Sequence, residues 1–256
     1  MIKVTNLGDS AEILLYGTII DNEDANWILN EDGSVLGYQF PEKIRQELDE
    51  IKDLPVLVRI SSYGGDVSAA VSIFNMLQQH NAPVTVQIDS IAASSASLIA
   101  FAGNEIIMPE NTFLMVHNPA GGGFGTADYL LNIVDYLEKI KDMIASTYQK
   151  HIKNNVDIKK LMDDETWITA KEAVEMFDNV KLVESTGIKA VAKFDVHKLD
   201  NFKNVPEAVK AQLTAETAED TDEKNNNVKH ADNVVNNDVK NILNVLQRSF
   251  SHEEKS

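Results

Sequence analysis

Val56-Leu57-Val58-Arg59-Ile60-Ser61-Ser62-Tyr63-Gly64-Gly65-Asp66-Val67 is the stretch on which the fold turns. Its apolar start reads as a short buried strand, Val56–Ile60. From Asp66 to Gln79 the period changes, with Val67, Val71, Phe74 and Leu77 recurring at helical spacing. The glycine pair between them permits φ > 0 and exposes backbone N–H groups, as an anion-binding concavity requires. The order repeats at once: Val84–Ile88 reads as a strand and Ser94–Ala102 as a helix of small residues. Farther out, Ala11–Ile19, Glu105–Met108 and Phe113–Val116 read as strands, and Pro41–Ile51 as a helix with Ile44, Leu48 and Ile51 on one face. A long helix from about Thr126 to His151 carries Leu130, Ile133, Val134, Leu137, Ile140 and Ile144. Thr169-Ala170-Lys171-Glu172 fits a capping box opening a last helix toward Phe177. Strands alternating with helices in this way argue for an α/β fold with a parallel sheet.

Composition narrows the function classes. The chain has 256 residues, 43% of them hydrophobic, enough for one sizeable core plus an appendage. With no cysteine, disulfides, thiolate metal sites and cysteine nucleophiles are excluded. A net charge of −17 disfavours a nucleic-acid partner, whose phosphates the average field repels. No apolar run approaches a membrane span, and the segment Met1–Asn6 lacks the apolar core of a signal peptide. The expectation is a soluble, unprocessed cytoplasmic protein with no membrane association.

The composition shifts near residue 190. All 12 glycines, both tryptophans and every tyrosine lie at or before Gly187. Beyond come acidic and Asn-rich stretches such as Glu216–Glu223 and Asn225-Asn226-Asn227, too polar to offset ordering entropy by burial. Val235, Val239, Ile242 and Leu246 keep helical spacing. The expected organisation is a domain over 1–190 and a flexible tail over 191–256 with a terminal helix near 234–248, the tail being dispensable for the domain's own chemistry.

Three segments bear groups suited to catalysis. Ser90-Ile91-Ala92-Ala93-Ser94-Ser95-Ala96-Ser97 follows a strand and opens a helix, where unpaired N–H groups favour developing negative charge. Taken alone it reads more readily as a tightly packed Ala/Ser helix start, since Ala/Ser-rich turns are common. Of the six histidines, only His117 follows an apolar strand and precedes a Gly-rich loop, Gly121-Gly122-Gly123-Phe124-Gly125. That placement suits a general base, and equally a structural histidine bonded to backbone. Asp163, Asp164 and Glu165 precede Thr166-Trp167-Ile168 and offer a carboxylate to orient an imidazole, or simply an acidic surface. No histidine pair has ligand spacing and no acidic run forms a calcium loop, so neither a metal nor a cofactor is expected.

Together, Gly64-Gly65, Ala92-Ala93-Ser94, His117-Asn118-Pro119 and Thr169–Ala173 stand in the order and at the separations of the Clp protease proteolytic subunits. The resemblance covers about residues 10–188 and implies a crotonase-like spiral of β-α units with a parallel sheet and a protruding handle helix. It implies a serine endopeptidase with Ser94 as nucleophile, His117 as base, and the N–H groups of Gly65 and Ser95 as oxyanion hole. It further implies that peptides lie along Gly121, Gly122 and Gly123, and that subunits assemble as homo-oligomeric rings. The family's third residue is Asp; here its position falls on Glu165, with Asp164 one residue earlier. Tyr63 stands where Pro is common, and Ser95 where Met is common.

Glu165-Thr166-Trp167, the short start and the tail resemble the Clp-like proteases that tailed phages use for prohead maturation. That implies ATP-independent cleavage of capsid or scaffold proteins. The alternative is a housekeeping Clp subunit degrading proteins fed by an ATP-dependent unfoldase. Outside peptidases stand a crotonase-like handler of acyl-CoA, which would not need Ser94 and His117 as a pair, and a catalytically silent ring component.

Overall fold

In a computed structural model, the chain is described at residues 5–6, 10–28, 37–184, 199 and 202–210, and it divides after Pro206 into two units. Of the second unit, only the helical turn 207–210 is among the described residues. The boundary expected at 190 and the terminal helix expected near 234–248 fall outside the described residues.

In chain order the elements are β1 (Thr5–Asn6), β2 (Ala11–Ile19), α1 (Asn22–Ile28), β3 (Tyr38–Gln39), α2 (Pro41–Ile51), β4 (Val56–Gly65), α3 (Val67–Gln78) and β5 (Val84–Ala93). They continue with α4 (Ser95–Ala100), β6 (Glu105–Pro109), β7 (Phe113–Val116), α5 (Ala127–Gln149), α6 (Ile158–Asp163), β8 (Thr166–Thr169), α7 (Ala170–Met176) and β9 (Val180–Val183). Together the strands make a nine-stranded sheet with the main order β1-β2-β4-β5-β6-β9; β3 pairs with β2, and β7 with β5 and β8. Every pairing is parallel except β1–β2 and β7–β8. This is the α/β arrangement that the strand–helix alternation implies.

The helix starts follow from capping chemistry. Asp66 accepts from the amide of Ala69, Thr126 from that of Tyr129, and Thr169 closes a capping box with Glu172. Pro41 opens α2, where its missing N–H costs nothing. Period-2 alternation then aims Ile13 and Leu15 of β2, Val58 and Ile60 of β4, and Val86 and Ile88 of β5 into one core. Helices α2, α3 and α4 cover that face with Ile44, Ile73, Leu77 and Ile99. The intervening positions hold a polar cluster: Arg59 grips Asp89 with two 2.8 Å bonds, and Tyr16 donates to the same carboxylate. Burial and the Asp89 anion push the Tyr16 phenol far above its usual range.

Two strands run longer than their apolar stretches suggest. Strand β4 continues past Ile60 to Gly65, and β5 past Ile88 to Ala93. Ser61 and Ser90 join their hydroxyls at 2.6 Å, and Ser62 donates to the Gly17 carbonyl at 2.5 Å, so none of these three buried serines is left unsatisfied. Hydrogen bonding thus carries the ladder where hydrophobicity stops.

Gly65 ends β4 at φ 149°, and a Cβ there would stand 2.0 Å from the Ile19 carbonyl oxygen. Gly65→Ala is therefore expected to lower stability by more than about 2 kcal/mol, the scale of backbone strain with overpacking. The check is a urea unfolding midpoint; an unchanged midpoint would show that β2 and β4 yield without cost.

Candidate active site

The site is assembled by a change of partner along β5. Its residues 85–87 pair with β6, whereas residues 91–93 pair with β7. The end of β5 thereby lies beside the end of β7, and the chain leaves β5 at Ser94 and β7 at His117. Strand β8 runs antiparallel to β7 with Thr166 opposite Val116. One residue beyond that last pair stand His117 on one chain segment and Glu165 on the other. Topology alone thus brings three distant chain segments to one sheet end.

The turn at Ser94 is tightly constrained. Its backbone lies at φ 55°, ψ −128°, a region costing a non-glycine residue about 1–2 kcal/mol. Its amide donates to the Met115 carbonyl at 3.0 Å. Its own carbonyl accepts from both the amide (3.0 Å) and the hydroxyl (2.6 Å) of Ser97. With the Ser97 proton used there, the Tyr148 hydroxyl of α5 donates to Ser97 at 2.8 Å. Gly64, at φ 88°, closes the other side: a Cβ would stand 2.7 Å from the Ala93 oxygen, 2.8 Å from the Ser95 nitrogen and 2.9 Å from the Ser94 Cβ. Any side chain at Gly64 would displace the turn.

The Ser94 hydroxyl meets His117 Nε2 at 2.7 Å. With Nε2 accepting from that hydroxyl, the ring proton belongs on Nδ1. That atom faces Glu165 Oε2 at 3.9 Å, beyond hydrogen-bond length but within electrostatic reach. Side-chain exposures of 22% for His117 and 12% for Glu165 keep the pair largely dry. Burial pulls the imidazole below its ordinary range, and the Glu165 anion partly offsets this. His117 is thereby held neutral and able to accept a proton near pH 7.

The other two acidic candidates are occupied elsewhere. Asp164 takes Lys160 Nζ at 2.5 Å on the surface. Asp163 accepts from Lys141 of α5 at 2.5 Å and from the Asn118 side chain at 2.9 Å. Glu165 follows α6 at φ 49°, a position usually given to glycine. Its Oε1 accepts from the backbone amides of Lys203 and Asn204. Gly121–Gly125 is an exposed coil lying back on α5: a Cβ on Gly123 would stand 2.8 Å from Ile133, and one on Gly125 2.5 Å from Tyr129.

Four supporting residues escape a reading of the sequence: Ser97 and Tyr148 behind the turn, and Phe202 and Asn204 beside the acid. Nothing in their local sequence marks them, because each acts on a partner more than one element away, apart from Ser97 on Ser94. A lone Phe202 in a polar stretch is the nearest to a signal. Among the described residues, no group of three His, Asp or Glu side chains is placed to hold a metal ion, and no helix is long and apolar enough to cross a membrane.

Comparison with known proteins places the same segments in one family. A family model described as Clp protease matches residues 45–180. An ATP-dependent Clp protease proteolytic subunit of Mesostigma viride is 28% identical over 166 residues, covering 64% of this chain and 67% of the relative. An ATP-dependent Clp protease proteolytic subunit 2 of Thermobifida fusca (strain YX) is 29% identical over 167 residues, covering 64% and 76%.

The electrostatics of the histidine can be checked directly. His117 should titrate below its ordinary value of 6.5, because burial dominates. Glu165→Gln removes the opposing anion, so the midpoint should fall further. NMR titration of the imidazole protons reads both, and a midpoint that rises in Glu165→Gln would mean the carboxylate does not face the ring. The neighbouring Ser95 hydroxyl is buried without a hydrogen-bond partner among the described residues. Ser95→Ala should accordingly be neutral or slightly stabilising, since it removes only an unsatisfied group; a loss above about 1 kcal/mol in thermal unfolding would show that it has a partner.

Proposed function

We propose, from the premise that this chain belongs to the Clp protease family and is a serine-type endopeptidase, that it acts through Ser94, His117 and Glu165 in prohead maturation. The observation that carries the catalytic assignment is the 2.7 Å contact between Ser94 Oγ, on its strained turn, and His117 Nε2.

In this reading Ser94 attacks the scissile carbonyl while His117 takes the hydroxyl proton. His117 then returns it to the leaving amine, and water hydrolyses the acyl-enzyme by the same route. Glu165 orients Nδ1–H and stabilises the imidazolium. Its 3.9 Å separation closes by about 1 Å as positive charge develops, in keeping with the looseness of catalytic hydrogen bonds before substrate binds. The oxyanion is received by the N–H groups of Gly65 and Ser95; that of Ser94 is engaged by Met115. An extended peptide adds alongside Gly121, Gly122 and Gly123, whose backbone runs outside any strand. No step draws on a cofactor.

The working form in this reading is a ring of identical subunits, in the cytoplasm of the cell where assembly takes place. Supporting it, α5 and its approach expose Phe124 (99%), Leu131 (65%), Tyr136 (57%) and Val134 (56%). An apolar strip of that extent marks an interaction surface.

Within peptidases, Glu165-Thr166-Trp167 supports a prohead protease that cleaves capsid or scaffold protein without ATP. The second reading, a subunit serving an ATP-dependent unfoldase, is favoured by the two relatives, both named as ATP-dependent Clp proteolytic subunits.

A fluorophosphonate should label Ser94 and no other residue, and Ser94→Ala should lose labelling together with at least about 10³-fold of peptide hydrolysis. Normal labelling of Ser94→Ala would sink the assignment. Light scattering should return a multiple of 28.4 kDa; a stable, active monomer would remove the ring. Cleavage of a co-expressed capsid precursor without ATP supports the first role, whereas dependence on an added unfoldase and ATP supports the second.

A further inference from the structure

We propose that residues 202–204 are a positioning element of the active site, holding the acid and the imidazole in register. This rests on the reading of Glu165 as the third catalytic group. The segment stands beyond the family match, which ends at residue 180, so the family resemblance does not supply the idea.

The geometry is specific. Glu165 Oε1 accepts from the Lys203 amide at 2.5 Å and from the Asn204 amide at 3.1 Å. The Asn204 side-chain amide donates to the Asp164 carbonyl at 2.8 Å. One short segment thus grips both the side chain of Glu165 and the peptide group that precedes it. With Oε1 engaged, Oε2 is the oxygen left to face His117 Nδ1. Phe202 completes the arrangement: its ring centroid lies 5.8 Å from that of His117, 5.8 Å from that of Trp167 edge-on at 88°, and 6.3 Å from that of Tyr63. It backs the imidazole from strand β8 across to the residue before Gly64.

The physical need is plain from the residue type. A glutamate has one more rotatable bond than an aspartate, so more rotamer freedom must be given up to fix its carboxylate. It also sits at φ 49°, where the backbone offers no preference of its own for holding the carboxylate. Two charge-assisted N–H bonds to one oxygen supply the missing restraint. The proposal runs against the expectation that everything past residue 190 is dispensable for chemistry.

The test is made in the full-length chain with a fluorogenic peptide. Lys203→Pro deletes the shorter N–H bond, and should lower kcat about 10–100-fold, the scale of a small misplacement of a catalytic group. KM should move less than about threefold, since bound substrate is not the partner lost. In the Glu165→Gln background the same substitution should cost less than about twofold, because the group it positions is already disabled. Asn204→Ala keeps the backbone amide but frees the Asp164 carbonyl; it should lower kcat by less than Lys203→Pro, about 3–10-fold, with the same coupling to Glu165→Gln. It serves as the test should proline disturb folding. An unchanged kcat, a raised kcat that exposes the segment as a brake, or an equal loss in the Glu165→Gln background would each overturn the proposal. A Glu165→Gln variant with full kcat would instead overturn the acid assignment on which it rests.

Discussion

The partner switch of β5 governs the rest of the molecule. Between Gln87 and Ile91 the strand leaves β6 and joins β7, and the whole candidate site hangs on that handover. A parallel sheet places strand ends together only for strands that are neighbours. By taking β7 as a second neighbour, β5 puts Ser94 beside the strand that ends at His117, and β7 in turn fixes β8 and Glu165. No side-chain interaction could substitute for this, because the groups come from three segments far apart in sequence. Helix α4 follows from the same constraint. It starts at once after the turn, and its fully buried small residues Ala96, Ser97 and Ala100 let it lie close over the sheet.

Strain is concentrated at the candidate site. Of the four described non-glycine residues with positive φ, two are Ser94 and Glu165. Each is over-determined by its surroundings: Ser94 by Met115, Ser97, Tyr148 and Gly64, and Glu165 by the end of α6 and the amides of 203 and 204. A residue held in an unfavourable region by several independent contacts cannot relax when substrate leaves. That rigidity keeps the serine hydroxyl within 2.7 Å of the imidazole.

Legibility in the sequence followed the range of the forces involved. Strands β4 and β5, helices α2 and α3 and the capping box at Thr169 were readable, because apolar period and capping are local signals. The continuation of β4 through Ser61–Gly65 and of β5 through Ser90–Ala93 was not, since those residues carry little strand preference and are held by Ser61–Ser90 and Ser62–Gly17 bonds across strands. Strand β8 hid within an acidic run before a capping box, and α6 and β9 are too short to show a period. The apolar residues of α5 were visible, but not their destination: Ile144 is buried, while Leu130 and Val134 face outward. Ser94, His117 and Glu165 stood out through motif order, whereas the engagements of Asp163 and Asp164 did not. Lys141, Lys160 and Asn118 draw the two aspartates away, and none of those pairings has a sequence signature.

The same pairings tie α5 to the candidate site. Lys141 lies on α5, and Asp163, which it bonds, also holds Asn118, the residue after His117. Tyr148 on the same helix closes the bond series behind Ser94. Helix α5 therefore touches the site from two directions, through a buried hydroxyl and through a half-exposed ion pair, while its outer strip of Leu131, Val134 and Tyr136 remains open. A partner seated on that strip would press on an element whose inner contacts set the serine turn and the histidine loop. Packed elements with discrete contacts shift between arrangements rather than deform smoothly. The second half of one helix, through Lys141 and Tyr148, thus reaches both the serine turn and the histidine loop of the candidate site.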